Sequence, residues 1–126
     1  MHVTIKGNLG TFNTDVSYTI GDVVRIVYPG CCLSNIALET IFGIKDAIFF
    51  PDIDEVFGTP YPKLEGNTDE WKIIDVKAHY GNGFAILLRN RSKQCVVMNQ
   101  LMYGGDVLKV VRKSKRRIDA LELKVI

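Results

Sequence analysis

The sequence predicts a mainly β fold: a small barrel with a short helix inserted in its first long loop and extra strands at the N- and C-terminal ends. Three observations lead there. Four apolar segments between Trp71 and Arg112 are separated by short polar or glycine-bearing turns, the pattern of a strand meander followed by a return strand. Alternating apolar and polar residues flank this block at 1–20 and 118–126. Apolar residues at near-helical spacing, Ile36, Ala37, Leu38, Ile41 and Phe42, interrupt the strand pattern early in the chain.

In chain order, Val3 and Ile5, then Val16, Tyr18 and Ile20, alternate with polar residues around Gly7-Asn8-Leu9-Gly10, which predicts a hairpin with one wet face on each strand. Gly21-Asp22 turns the chain into the strand Val23–Tyr28, ended by Pro29-Gly30. Ser34 or Asn35 is placed to cap the short helix, and Gly43 suits the left-handed residue that follows a helix. This helix is expected to cover an open end of the barrel. Ile44–Phe50 fits either a further helical turn or a strand, and Pro51 stops both. The stretch from Asp52 to Asp69 is rich in Gly, Pro and acids and reads as a long loop, of the kind that carries binding functions. Trp71–Ala78, Phe84–Arg89, Gln94–Met98 and Val107–Arg112 are then the strands of the meander and its return, with a corner at Asn99–Met102.

Length and composition bound the reading. A chain of 126 residues with 47% hydrophobic and 24% charged residues has the makings of one globular domain. No apolar run approaches the roughly 18 residues of a membrane span, and the first residues alternate where a signal peptide would be continuously apolar. A cytoplasmic protein with no membrane partner is expected. Cys31, Cys32 and Cys95 have no metal-type spacing, and adjacent cysteines rarely bridge one another. They read as reduced, largely buried thiols.

Charge is divided along the chain. Residues 1–70 hold ten Asp/Glu and four Lys/Arg while residues 71–126 hold four and twelve, so halves of −6 and +8 lie beneath a net charge of +2. Such a division can present one acidic and one basic face, and fields of that kind steer charged partners.

Gly21–Ile26 opening a strand, a long first loop, Trp71 beginning the second strand, two tight hairpins, the corner at Gln100-Leu101-Met102 and a closing Leu108–Val111 strand together resemble the Src-homology-3-like small barrel of KOW, Tudor and related modules. The pairing of Gly21–Tyr28 with a helix-bearing segment at Ser34–Gly43 also resembles small uncharacterised proteins of tailed bacteriophages. The resemblance spans about residues 21–112 and implies a strand order. Its motifs carry no functional residues across.

Two binding readings follow from the residues themselves. Six of the nine positions from Lys109 to Arg117 are basic: Lys109, Arg112, Lys113, Lys115, Arg116 and Arg117. Arg89, Arg91 and Lys93 stand on a turn near them. Cations at this density displace counterions from a phosphate backbone, so DNA or RNA is the first expected partner, with Tyr80 and Tyr103 beside glycines to stack bases. A solvated polar segment between two strands is the plain alternative. In the second reading the acidic segment contacts a host protein, as a small phage effector would, through Asp52, Asp54 and Glu55 with Ile53, Val56, Phe57 and Tyr61 as anchors. Uncovered edge strands also offer a homodimer contact. Catalysis has little support: His79 facing Cys31, Cys32 or Cys95 is the lone nucleophile–base combination, without an oxyanion motif. Neither a cofactor nor a metal is implied, because Asp52, Asp54 and Glu55 lack the spacing of a calcium loop and the glycine pairs open no helix.

Overall fold

The computed structural model describes residues 2–9, 12–66, 68–79, 83–101, 105–114 and 120–125. The chain is mainly β. Its strands are β1 (His2–Leu9), β2 (Phe12–Thr19), β3 (Val23–Ile26), β4 (Ile48–Phe49), β5 (Ile53–Val56), β6 (Thr59–Pro62), β7 (Trp71–His79), β8 (Gly83–Arg89), β9 (Gln94–Leu101), β10 (Leu108–Arg112) and β11 (Ala120–Val125), with one short helix, α1 (Ile36–Thr40). A mixed six-stranded sheet of order β10-β3-β7-β8-β9-β4 dominates. A three-stranded sheet, β11-β1-β2, stands beside it, and β5 and β6 pair only with each other. Among the described residues β10 and β4 remain edges, so strand pairing does not close the large sheet into a barrel.

Strand β8 explains the layering. Phe84-Ala85-Ile86-Leu87-Leu88 has no polar alternation, and every one of these residues is buried, so both faces of the strand must be covered. On the inner face Phe84, Ile86 and Leu88 join Val24, Trp71, Ile73, Val96, Met98 and Leu108 in the main core, which Tyr18, Phe50 and Leu64 complete. On the outer face Ala85 and Leu87 pack with Cys95 and Val97 beneath Ala37 and Leu38 of α1. The helix therefore covers a sheet face, not the end of a barrel as its sequence position suggests. The apolar run of β8 demands that cover.

Three other expectations are corrected. The acidic stretch is not an open loop: β5 and β6 form a hairpin whose turn residues, Phe57 (φ 52°) and Gly58 (φ 76°), are both left-handed, the two-residue turn whose twist matches that of paired strands. The corner at Asn99–Met102 is absent through Leu101, because Phe84 pairs with Gln100 and Gly83 with Leu101. Gln100 is buried there and fully used. Its Oε1 accepts from the Tyr18 hydroxyl (3.1 Å) and Val107 N–H (2.9 Å), and its Nε2 donates to the Leu101 and Gly105 carbonyls. Gly7, Asn8 and Leu9 lie within β1, paired with Thr14, Asn13 and Phe12, so the first hairpin turns later than the glycine pattern suggests. Ile48–Phe49 is the short strand β4, parallel to β9.

Around α1, Asn35 occupies the cap position without a side-chain cap bond, and its amide nitrogen and oxygen are both buried without a partner among the described residues. Gly43 (φ 68°) ends the helix as expected, its N–H donating to Glu39 O at 3.0 Å.

The two larger sheets meet at Asp22. The turn Thr19–Asp22 needs Gly21 at φ 99°, where a Cβ would lie 2.8 Å from Ser114 Oγ. Asp22, wholly buried, accepts from Thr19 N–H (3.0 Å), Ser114 N–H (2.6 Å) and Lys113 Nζ (3.2 Å). One carboxylate thus fixes the end of β2 and the exit of β10. The C-terminal β11 runs parallel to β1.

Candidate functional site

Past the edge of α1, the outer face of the large sheet changes character. Strand registers align Arg112 of β10 with Val23 of β3, Val23 with Lys72 of β7, and Lys72 with Arg89 of β8. Four adjacent strands therefore contribute one transverse row, and three of its members are exposed cations.

Two bulges build this row. The β7–β8 register slips between Ile73 and Asp75, and the β10–β3 register slips between Val110 and Arg112. A bulge adds one residue on one strand and so moves each following side chain to the other face relative to an unbroken ladder. Ile74 accommodates the first slip and Val111 the second. Arg112 thereby lies opposite Val23 and not beside buried Val24.

The row borders a cavity of about 370 Å³. Its apolar lining is Val23, Trp71 and Ile74; its cations are Lys72, Arg89, Arg91 and Arg112; Glu70 and Asn90 complete it. A second hollow of about 330 Å³ adjoins it, sharing Glu70, Asn90 and Arg91 and adding Thr68, Asp69 and Ser92. Trp71 is buried, tilted against Phe50 with ring centroids 5.6 Å apart. Its indole N–H has no acceptor among the described residues.

The turn that carries Arg91 is tightly built. Asn90 Oδ1 accepts from Gln94 N–H (2.9 Å), its Nδ2 donates to Gln94 Oε1 (2.7 Å), and Lys93 N–H donates to Asn90 O (3.0 Å). Lys93 takes a left-handed conformation (φ 62°) to close it. Arg91 is held at the rim by backbone, not by an ion pair.

Among the described residues no carboxylate pairs with Lys72, Arg89 or Arg91; Arg112 alone of the four is matched, by Glu70 in a two-pronged contact of 3.0 and 3.5 Å. Like charges directly opposite on neighbouring strands repel, by roughly 0.2–1 kcal/mol. Lys72 faces Arg89 in that way. An anion in the cavity would relieve the repulsion, and planar guanidinium groups are suited to phosphate oxygens.

The structure brings together only part of the sequence-derived set. Arg89, Arg91 and Arg112 converge on the cavity, and Lys72 joins them although the sequence reading passed over it. Lys113 is taken by buried Asp22, so it is not the free phosphate contact expected of the basic tail. Lys109 lies opposite Arg25 on the edge strand, and Lys93 lines neither hollow. Tyr80, Tyr103, Lys115, Arg116 and Arg117 lie outside the described residues.

On the hairpin, Ile53, Val56 and Phe57 are exposed, Phe57 completely. Asp52, Asp54 and Glu55 are exposed beside them, and Lys63 pairs with Asp54 at 3.1 Å. Tyr61 turns inward to a third cavity of about 540 Å³ between β6, α1 and the end of β7, which also holds His79. No cysteine lines that cavity. Cys32, half-buried with its thiol toward Pro62 O at 3.6 Å, has its pKa raised, chiefly by burial, which keeps it protonated at neutral pH. The histidine–cysteine combination, given little support by the sequence, does not share this cavity. Among the described residues no three His, Cys, Asp or Glu side chains converge as metal ligands, and no helix is long and apolar enough to cross a membrane.

Comparison with protein-family models, curated proteins and solved structures gives no match for this chain. Its own geometry must carry the functional reading.

Proposed function

We propose that the protein is a non-catalytic module that binds nucleic acid, and that the row Arg112–Val23–Lys72–Arg89 with Arg91 is its phosphate-contacting surface. The observation that carries this reading is the cross-strand meeting of Lys72 and Arg89 beside a cavity, with no carboxylate between them. Like charges opposite each other on paired strands repel, and Lys72 and Arg89, unlike Lys109 and Arg25, meet at the lining of a cavity that can take an anion. Polyanions reward the arrangement through counterion release, and the cavity walls of Val23 and Ile74 offer an apolar surface for part of a nucleotide.

The placing of β10 on one side of β3 and of the β7–β8–β9 meander on the other supports reading the large sheet as an open relative of the Src-homology-3-like barrel. Fold likeness alone assigns no ligand. The cation row is what supports a polyanionic one.

The test is fluorescence anisotropy with labelled single- and double-stranded DNA and RNA across a salt series. Wild-type protein should bind with an affinity that falls steeply as salt rises. In the Lys72→Ser/Arg89→Ser double variant the slope of log affinity against log salt should shrink by about two, one per lost phosphate contact. Binding of unchanged strength and slope in that variant, or no wild-type binding at low salt, overturns the reading.

A further inference from the structure

Phe57 sits at the tip of the β5–β6 hairpin with its whole surface in solvent and its backbone in a conformation that large side chains avoid. Asn-Gly is the sequence this turn favours, and Phe-Gly occupies it here. An exposed ring held against local preference is an anchor awaiting a cover. Half-exposed Ile53 and Val56 and exposed Asp52, Asp54 and Glu55 lead up to it on the same arm of the hairpin, and Lys63 pairs with Asp54.

The complement of this tip is present on the same chain. The cavity beside the cation row has an apolar lining of Val23, Trp71 and Ile74 and a rim on which Lys72, Arg89 and Arg91 lack carboxylate partners among the described residues. A ring flanked by carboxylates offers that cavity the same two features as a nucleotide, a flat apolar body and adjacent negative charge. We propose that the β5–β6 hairpin of one copy docks into the basic cavity of a second copy, Phe57 against the apolar lining and Asp52 and Glu55 facing Lys72 and Arg89. The hairpin does not serve its own cavity, since Phe57 is fully exposed and the hairpin's base is bonded to its own chain through Asn35 N–H to Pro60 O (2.9 Å) and Lys63 N–H to Asp52 O (2.6 Å).

Such a contact is head-to-tail. In a docked pair one copy keeps an unused cavity and the other an unused hairpin, so association continues into chains or closes into a ring. An edge-strand dimer would instead stop at two. Docking also occupies the cations assigned to phosphate, so self-association and nucleic-acid binding exclude each other; this last consequence alone rests on the nucleic-acid reading above.

Sedimentation velocity over a concentration series tests the docking. Phe57→Asn removes the anchor while giving the turn its favoured residue, so it should fold at least as well as wild type. Lys72→Ser/Arg89→Ser removes the rim at exposed positions. Wild-type mass should rise with concentration and fall with added salt, while each variant alone should remain monomeric. An equimolar mixture of the two variants retains one intact hairpin and one intact cavity, and it should form a heterodimer of twice the monomer mass and no larger species.

A wild-type protein that stays monomeric, a mixture that fails to associate, or self-association that survives Phe57→Asn overturns the proposal. Nucleic-acid titrations separate it from the functional reading. Phe57→Asn should bind DNA or RNA at least as tightly as wild type, and added nucleic acid should dissociate the wild-type assembly. A heterodimer that forms from a protein with no affinity for any nucleic acid would leave the docking standing and remove the function.

Discussion

Leu87 and Arg89 stand two residues apart on β8 and point from the same face of the sheet, yet one is core and the other is site. Leu87 lies beneath Ala37 and Leu38 of α1. Arg89 lies beyond the helix, opposite Lys72 and beside the cavity. The difference is cover. A helix of five residues reaches only part of the outer face, and where it stops the same strand geometry that packs leucines brings charges together. The cation row thus stands on core strands, and the Asn90–Gln94 turn adds Arg91 to it.

The contrast breaks most severely at the cover. Leu38→Ala should cost about 2–5 kcal/mol, as large-to-small changes at buried sites do, measured by urea unfolding, while leaving the salt slope of nucleic-acid binding unchanged. A comparable loss of binding in folded protein would mean that helix and cation row are one unit.

Asp22→Ala comes next. It removes the buried carboxylate that accepts from Thr19 N–H, Ser114 N–H and Lys113 Nζ and should cost about 2–3 kcal/mol, read from the same unfolding curves.

The inner face offers a pH test. Tyr18 has its pKa raised, first by burial and then by the negative charge of Asp106, against a smaller lowering from the Leu108 backbone. A folded-state value above the unfolded value of about 10 means that this stability is intact below pH 10 and declines as the pH rises toward the folded-state value. Tyr18→Phe loses the hydrogen bond to Gln100 and should cost about 1 kcal/mol at pH 7. Its urea midpoint should fall less between pH 9 and 11 than that of wild type.

The smallest effect belongs to the row itself. Lys72→Thr removes the repulsion from Arg89 and should raise stability by a few tenths of a kcal/mol at low ionic strength, a gain that salt erases. Its binding slope should fall by about one. A variant both less stable and equally tight in binding would show that Lys72 serves the fold and not the ligand.

Much of this contrast was legible before any coordinates. The period-two pattern of Trp71–Ala78 and the unbroken apolar run of Phe84–Leu88 announce β7 and β8, and Gly43 marks the end of α1. The basic residues at 89, 91 and 112 were also visible as candidates. Lys72 was not, for a definable reason. Counting outward from the β7–β8 turn in an unbroken ladder, with His79 opposite Gly83, puts Lys72 across from Asn90; the bulge at Ile74 moves it to Arg89. The adjacent isoleucines, Ile73-Ile74, are the faint local sign of that slip. For Lys113 the misleading signal was proximity in sequence to other cations, since its partner, Asp22, lies 91 positions away.

The sequence by itself determined the strands of the 71–112 block, the position of the short helix and how charge divides between the two halves, because side-chain period and charge order are local properties. Tertiary structure alone decided which cations meet, which are neutralised by Glu70 and Asp22, and that the acidic stretch displays Phe57 on a hairpin. Those outcomes depend on strand register, and register is set by long-range pairing and by bulges, each of which shifts an entire row of side chains by one residue and from one face to the other.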